Sequence, residues 1–308
     1  MKKLMFIASA MLCVTALAAL DPSATSLSSG VVGYQEVTIP AQQFTMIGIM
    51  FEDVNGGAIS VQDLFPNPLG QGLTGASGSA YADQLMYWDT NESGNYVTLY
   101  LNSNTGTTSA LIARHNKWCC TRKQNDTSWG TSAANASTKT LISGMGLWLK
   151  RYNYASPITV TMSGAAVKAA EGRTITINEG FNMISGGFSS AFAPNPDVAG
   201  TGNAVNWLSK GCVGATGAAY ADQLMFWDPT EAGNYVTLYL NSNTGTSSAL
   251  IARHNHWCCT RKQTDSSWGT SAANATPKVI PAGRGIWYKR LAGAGPFTLT
   301  LDSPYTVE

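Results

Sequence analysis

Asn95-Tyr96-Val97-Thr98-Leu99-Tyr100-Leu101 returns without a change as Asn234-Tyr235-Val236-Thr237-Leu238-Tyr239-Leu240. In an extended chain Val97, Leu99 and Leu101 fall on one face and Tyr96, Thr98 and Tyr100 on the other. Alternation with a period of two is the mark of a strand. The stretch therefore predicts β-structure, and its return predicts that the structure is built twice.

Working outward, the repeat widens. Ala80-Tyr81-Ala82-Asp83-Gln84-Leu85-Met86 recurs as residues 219–225, and Trp129-Gly130-Thr131-Ser132-Ala133-Ala134-Asn135 as residues 268–274. Arg114-His115-Asn116, then Trp118-Cys119-Cys120-Thr121-Arg122-Lys123-Gln124, recurs between Arg253 and Gln263, and Gly144-x-Gly146-x-Trp148 recurs as Gly283-x-Gly285-x-Trp287. The flanks agree only in pattern: Phe44-Thr45-Met46-Ile47 faces Phe181-Asn182-Met183-Ile184, and the Thr-alternating segment from Pro157 faces the one from Pro296. Between Ala80 and Ala136 few positions differ, among them Tyr87/Phe226 and Lys117/His256. The units run over 30–164 and 165–308, after a short lead-in at 19–29.

Alternating runs recur at Ile158–Met162, Thr174–Ile177 and Phe297–Leu301, with turn formers at Asn102-Ser103-Asn104-Thr105-Gly106. Phe44–Phe51 is apolar on both faces and predicts a central strand. Helical candidates are short, at Val61–Phe65 and Val205–Leu208. The expected fold is all-β: two tandem antiparallel β-sandwich or small-barrel domains related by internal duplication.

The bulk numbers bound the address and the partners. The chain has 308 residues, of which 44% are hydrophobic and only 12% charged, about half the usual charged share of ~25%. Lys2 and Lys3, the apolar run Leu4–Leu17 and Ala16-Leu17-Ala18 read as a secretory signal peptide over 1–18. The formal charge of +1 falls to −1 once those two lysines leave. That balance argues against nucleic acid, which needs basic patches. No later stretch is apolar and long enough to span a membrane. The expected location is secreted or cell-surface, with no visible anchor.

The order of Val31-Val32-Gly33-Tyr34, Phe44-x-Met46-Ile47, Met86-Tyr87-Trp88-Asp89, Gly144-x-Gly146-x-Trp148 and the Thr-alternating last strand resembles an uncharacterised β-repeat of bacterial secreted and surface proteins. The resemblance covers both units. That repeat usually carries an aromatic-Asn step in the second segment, which Phe181-Asn182 keeps and Phe44-Thr45 does not. The Cys-Cys pair is foreign to it. The resemblance implies an extracellular location and a β-fold, and it implies no chemistry.

Residues with chemical potential cluster at His115-Asn116-Lys117-Trp118-Cys119-Cys120 and His254-Asn255-His256-Trp257-Cys258-Cys259. In an exported protein cysteines are normally oxidised. Neighbours on a strand face opposite ways, so Cys119, Cys120, Cys258 and Cys259 are candidates for disulfides to other units or subunits. Buried free thiols are the alternative. A third reading is metal: His254, His256 and Cys258 share a face if the segment is a continuous strand, an arrangement that Lys117 breaks in the first copy. Cys212, opposite Leu73 in the first copy, reads as a small buried apolar residue.

Tryptophans repeat at four positions. Core packing is the default for each, but Trp129 and Trp268 sit in polar loops and are the candidates for an exposed platform that stacks on a sugar. Asp83, Asp89, Asp222 and Asp228 read as turn or capping residues. No nucleophile elbow, zinc-protease, phosphate-loop or calcium-loop motif occurs, so no catalytic residue and no cofactor are expected. The expected function is a structural or assembly protein of the cell surface or matrix, a homo-oligomer or polymer. The alternative is a carbohydrate-binding or adhesion module with duplicated sites.

Overall fold

A computed structural model describes residues 32–167, 172–195, 206–245, 247 and 252–304. The signal peptide expected at 1–18 and the lead-in at 19–29 lie outside the described residues, as does Val205 of the second helical candidate. The described chain is predominantly β, its strands paired antiparallel.

The first half contributes β1 (Val32–Ile39), β2 (Phe44–Gly48), β3 (Phe51–Glu52), β4 (Ile59–Ser60), β5 (Gln84–Trp88), β6 (Tyr96–Asn102), β7 (Lys117–Cys120), β8 (Thr140–Leu141), β9 (Gly146–Lys150) and β10 (Ile158–Ala166). The second contributes β11 (Arg173–Ile177), β12 (Gly180–Ser185), β13 (Gln223–Trp227), β14 (Tyr235–Asn241), β15 (His256–Cys259), β16 (Gly285–Arg290) and β17 (Phe297–Leu301). Each half carries a five-stranded sheet of the same order, β2-β9-β5-β6-β7 in one and β12-β16-β13-β14-β15 in the other. A smaller sheet accompanies each, β1-β10-β3 and β11-β17. The unit boundary expected at Gly164 falls inside β10, whose Ala165 and Ala166 still pair with Glu52 and Phe51.

β6 shows how the sequence makes the sheet. Val97, Leu99 and Leu101 point into the core of the first half, where they meet Leu85, Trp118 and Leu149. Tyr96 and Tyr100 point the other way, Tyr96 toward Trp88 and Trp148 and Tyr100 toward Ala82 and Cys119. The helical candidate at Val61 is a single turn, α1 (Val61–Leu64), capped by Ser60, whose side chain accepts from the Asp63 N–H. Residues Thr45–Phe51 are all buried, as their apolar pattern predicts. Yet β2 is an edge strand of its sheet. Its second face is covered by the other half and not by a neighbouring strand.

That cover is the main architectural finding. Val31–Glu308 forms one compact unit, and the halves join reciprocally. The Gly48 N–H donates to Gly283 O at 2.8 Å, and Ser185, the counterpart of Gly48, donates its N–H to Gly144 O at 2.7 Å. Isolated bridges tie Ile47 to Arg284 and Ile184 to Met145. Between the sheets Met46, Trp148, Met183 and Trp287 form a shared cluster.

The Gly-x-Gly-x-Trp motif is what permits this approach. A Cβ on Gly146 would lie 2.9 Å from Ile184 O, and one on Gly285 would lie 2.6 Å from Ile47 O. Both clashes are with backbone of the opposite half, which cannot rotate away. An ion pair crosses the junction as well, from the Arg173 guanidinium to Glu52. The Arg173 Nε–H donates to Ser143 O at 3.0 Å.

Candidate functional site

The Cys-Cys strands fold as their alternation predicts, but not into disulfides. Cys120 faces the core of the first half, and Cys119 faces the opposite side with Ala82 and Tyr100. Cys258 and Cys259 repeat this arrangement. All five described cysteines are free, buried thiols, Cys212 among them. Bonds to other subunits are therefore corrected: each sulfur is enclosed on its own side of the sheet and cannot meet a partner chain. The Cys120 S–H donates to Trp129 O at 2.6 Å, and that of Cys259 to Trp268 O at 3.0 Å. Loss of solvation pushes the Cys119 and Cys258 thiols up to about 12, and those of Cys120 and Cys259 up to about 11.

The metal reading is corrected too. β15 begins at His256, and the left-handed Asn255 (φ 61°) breaks the alternation before it. His254 therefore lies in a turn and not on the strand face. His256 Nδ1 lies 2.7 Å from His254 O, while Cys258 is buried. Among the described residues no group of three His, Cys, Asp or Glu side chains is placed to hold a metal ion.

Trp129 and Trp268 are 1% and 2% exposed, so neither is an open platform. Each loop folds back over its own indole. Trp129 packs on Tyr87, centroids 4.9 Å apart, and Trp268 packs on Phe226 at 4.7 Å. Lys139 Nζ sits 5.1 Å from the Trp129 ring and Lys278 Nζ 4.5 Å from that of Trp268. These lysines also bridge Asp126 at 2.8 Å and Asp265 at 2.6 Å. Each aspartate, held by its lysine and by the following Ser128 or Ser267, drops to about 2. The polar composition that suggested exposure belongs to the lid of the indole.

Two buried glutamates escape sequence reasoning. Glu92 accepts the N–H groups of Asn125 and Asp126 at 3.0 and 2.9 Å, and Glu231 accepts those of Thr264 and Asp265 at 2.9 and 2.8 Å. They tie the loop after each Cys-Cys strand to the turn before β6 and β14. Their flanks read as ordinary turns, so nothing local marks them.

The aspartates do what turn residues do, and one does more. Asp83 accepts the N–H groups of Thr74 and Tyr152 at 2.9 and 2.6 Å. Its counterpart Asp222 accepts those of Val213 and Leu291, both at 2.8 Å. Asp222 also binds Arg290 Nη1 at 2.7 Å and accepts the Tyr288 hydroxyl at 2.6 Å. Leu149 stands at the position of Tyr288 in the first half, and Leu73 at that of Cys212. Both halves thus bury an aspartate and an arginine here, Asp83 with Arg151 and Asp222 with Arg290, and the second adds a tyrosine hydroxyl and a thiol where the first has leucines.

A pocket of about 170 Å³ lies where the halves meet, walled by Thr45 and Met46 of one and Trp227, Trp268 and Arg284 of the other. No helix among the described residues is long and apolar enough to cross a membrane. No family model, no curated protein and no solved structure matches the chain.

Proposed function

We propose that this chain is an exported, non-catalytic building block of a cell surface or extracellular matrix, a subunit of a fibre, layer or filament. On this reading the halves are two β-sandwiches descended from one ancestor, akin to the β-repeat of bacterial secreted and surface proteins.

The observation that carries the reading is β1. Its sheet order is β1-β10-β3, so β1 lies at an edge eight residues long. Val32 and Tyr34 on it are 47% and 71% exposed, and Glu36 is its single charge. Natural proteins normally protect a long edge with charge, proline or a bulge, because unpaired N–H and C=O groups are a template for another chain. Here that protection is thin. A strand of a second copy fits the edge, adding backbone bonds as strand addition does elsewhere. The low overall charge favours such contacts.

Light scattering and negative-stain imaging of residues 19–308 test the proposal. Ordered polymers, undiminished by reductant because the thiols are buried, are expected. Val32→Lys with Tyr34→Lys should reduce them to monomers. A monodisperse monomer at high concentration would sink the assembly reading.

A further inference from the structure

Tyr81 and Tyr220 occupy the same position of the repeat, and both stand open to solvent, 66% and 74% exposed. The heptapeptides around them are identical. Packing does not explain the shared ring, since neither ring lies in a core. Half-buried Tyr87, six residues on, has meanwhile become Phe226. A single exposed aromatic needs no explanation, whereas a cluster of them marks a contact surface.

In the first half Tyr81 belongs to such a cluster. The Tyr152 ring meets it edge to face, centroids 5.8 Å apart and planes at 82°. Tyr152 is 49% exposed, and Tyr154 on the same loop is 45% exposed. Buried groups set the backbone beneath the pair. Asp83 Oδ1, two residues after Tyr81, accepts the Tyr152 N–H at 2.6 Å, while Oδ2 accepts that of Thr74 at 2.9 Å. Arg151 closes the loop by donating Nη1–H to Ser156 O at 2.7 Å. The two rings are thus placed before any ligand arrives.

The second half keeps this frame and drops the rings. Asp222 accepts the Leu291 N–H at 2.8 Å, and Arg290 Nε–H donates to Gly295 O at 3.1 Å. On that frame Leu291-Ala292-Gly293 stand where the first half has Tyr152-Asn153-Tyr154. The turn therefore forms without aromatic residues, and the tyrosines of the first loop serve something other than its fold. Loops held by a rigid scaffold are where binding residues concentrate.

We propose that Tyr81 and Tyr152 bind a neutral saccharide. One pyranose lies by its C–H face on Tyr81, the more exposed ring, with Tyr152 as a side wall and the exposed Asn153 amide on the same loop for its hydroxyls. Rings at right angles make a floor and a wall. Tyrosine offers rigid, amphipathic contact area at low entropic cost, with a hydroxyl suited to a wet rim. A pyranose has the matching character, C–H groups on its face and hydroxyls around its edge. Charge sets the class of sugar: neither 77–82 nor 152–157 holds a charged side chain, so neither segment compensates a carboxylate, sulfate or phosphate. The site does not depend on polymer formation. Its loop enters β10 at Ile158, opposite Ile39, while Val32 and Tyr34 lie opposite Ala165 and Ser163 toward the other end of that strand.

The test is saturation-transfer NMR of the full chain with cellohexaose, laminarihexaose, xylohexaose and chitohexaose, a signal read on monomer and polymer alike. The expected result is saturable transfer to the ring C–H protons of at least one of them. Tyr81→Ala should weaken that binding about tenfold or more, while Tyr81→Phe, which keeps the ring, retains most of it. Tyr152→Leu installs the residue that the second half carries on the same frame, and it should weaken binding by removing the wall. Tyr220→Ala should leave the affinity unchanged, because Tyr220 has Leu291 and not a second ring at the equivalent position. All these positions lie outside the core, so melting temperatures should match the parent. Absence of transfer from every oligosaccharide at millimolar concentration would overturn the proposal, as would undiminished affinity in Tyr81→Ala or an equal loss in Tyr220→Ala. Polymers lost in Tyr81→Ala with sugar binding intact would assign the patch to a second copy of the chain and overturn it as well.

Discussion

Trp88 and Trp287, from opposite halves of the chain, meet edge to face with ring centroids 5.3 Å apart and planes at 89°. Trp148 and Trp227 repeat the contact at 5.4 Å and 87°. The halves thus hold each other through a reciprocal pair of indole contacts, a geometry aromatic quadrupoles favour. Trp287→Ala should cost about 3–5 kcal/mol, the usual range for a buried aromatic cut to Ala. Urea unfolding followed by circular dichroism measures it. A loss under 1 kcal/mol would mean the indoles merely touch.

Gly146 and Gly285 admit the backbone of the opposite half. Gly285→Ala places a methyl against Ile47 O, and neither backbone can yield. Overpacking of this kind costs about 1–3 kcal/mol. The same change at Gly217, where a Cβ meets nothing within 4 Å, should be close to neutral. Equal melting temperatures for the two variants would contradict the role of the motif.

The buried thiols should be inert. Thiolate is the reacting species, and Cys119, Cys212 and Cys258 are each pushed up to about 12 by desolvation. Native protein should resist an aromatic disulfide reagent at pH 8, while urea-unfolded protein should release the five described cysteines to it. Rapid labelling in the native state is the outcome that contradicts burial.

Asp126 and Asp265 have pKa values of about 2 in the folded chain against 3.8 for the free side chain. A depressed carboxylate contributes stability above its unfolded pKa, and that contribution is lost as pH falls from about 4 toward 2. Asp83 acts with the opposite sign, because burial raises its pKa and protonation relieves it. From these two pairs stability should fall across this acid window, and the double change Asp126→Asn with Asp265→Asn should flatten that fall. Both aspartates are partly exposed, so solvent screening keeps each contribution small. An unchanged acid limb would remove these pairs from the account.

Much of this was legible locally. The alternation of Tyr96–Leu101 fixes two faces whatever covers them, and the same rule sends Cys119 and Cys120 to opposite sides. The single turn at Val61 follows from its own residues. Trp129 and Trp268 were misread because Gly, Ser and Thr around them mark a loop, and only the path of that loop decides whether it exposes or covers an indole. His254 fell off the strand because one residue, Asn255, took a left-handed conformation.

By itself the sequence determined that this protein is built of strands, that its central pattern occurs twice, and which side chains share a face. Strand periodicity is a property of neighbouring residues, so it needs no knowledge of the rest of the chain. Tertiary structure alone decided that Gly-x-Gly-x-Trp is a junction and not merely a turn, that β2 is buried at a sheet edge, and that Arg284 lies against Ile47 of the other half. Those outcomes depend on surfaces brought together from distant stretches of the chain, and burial and desolvation are set by what arrives there.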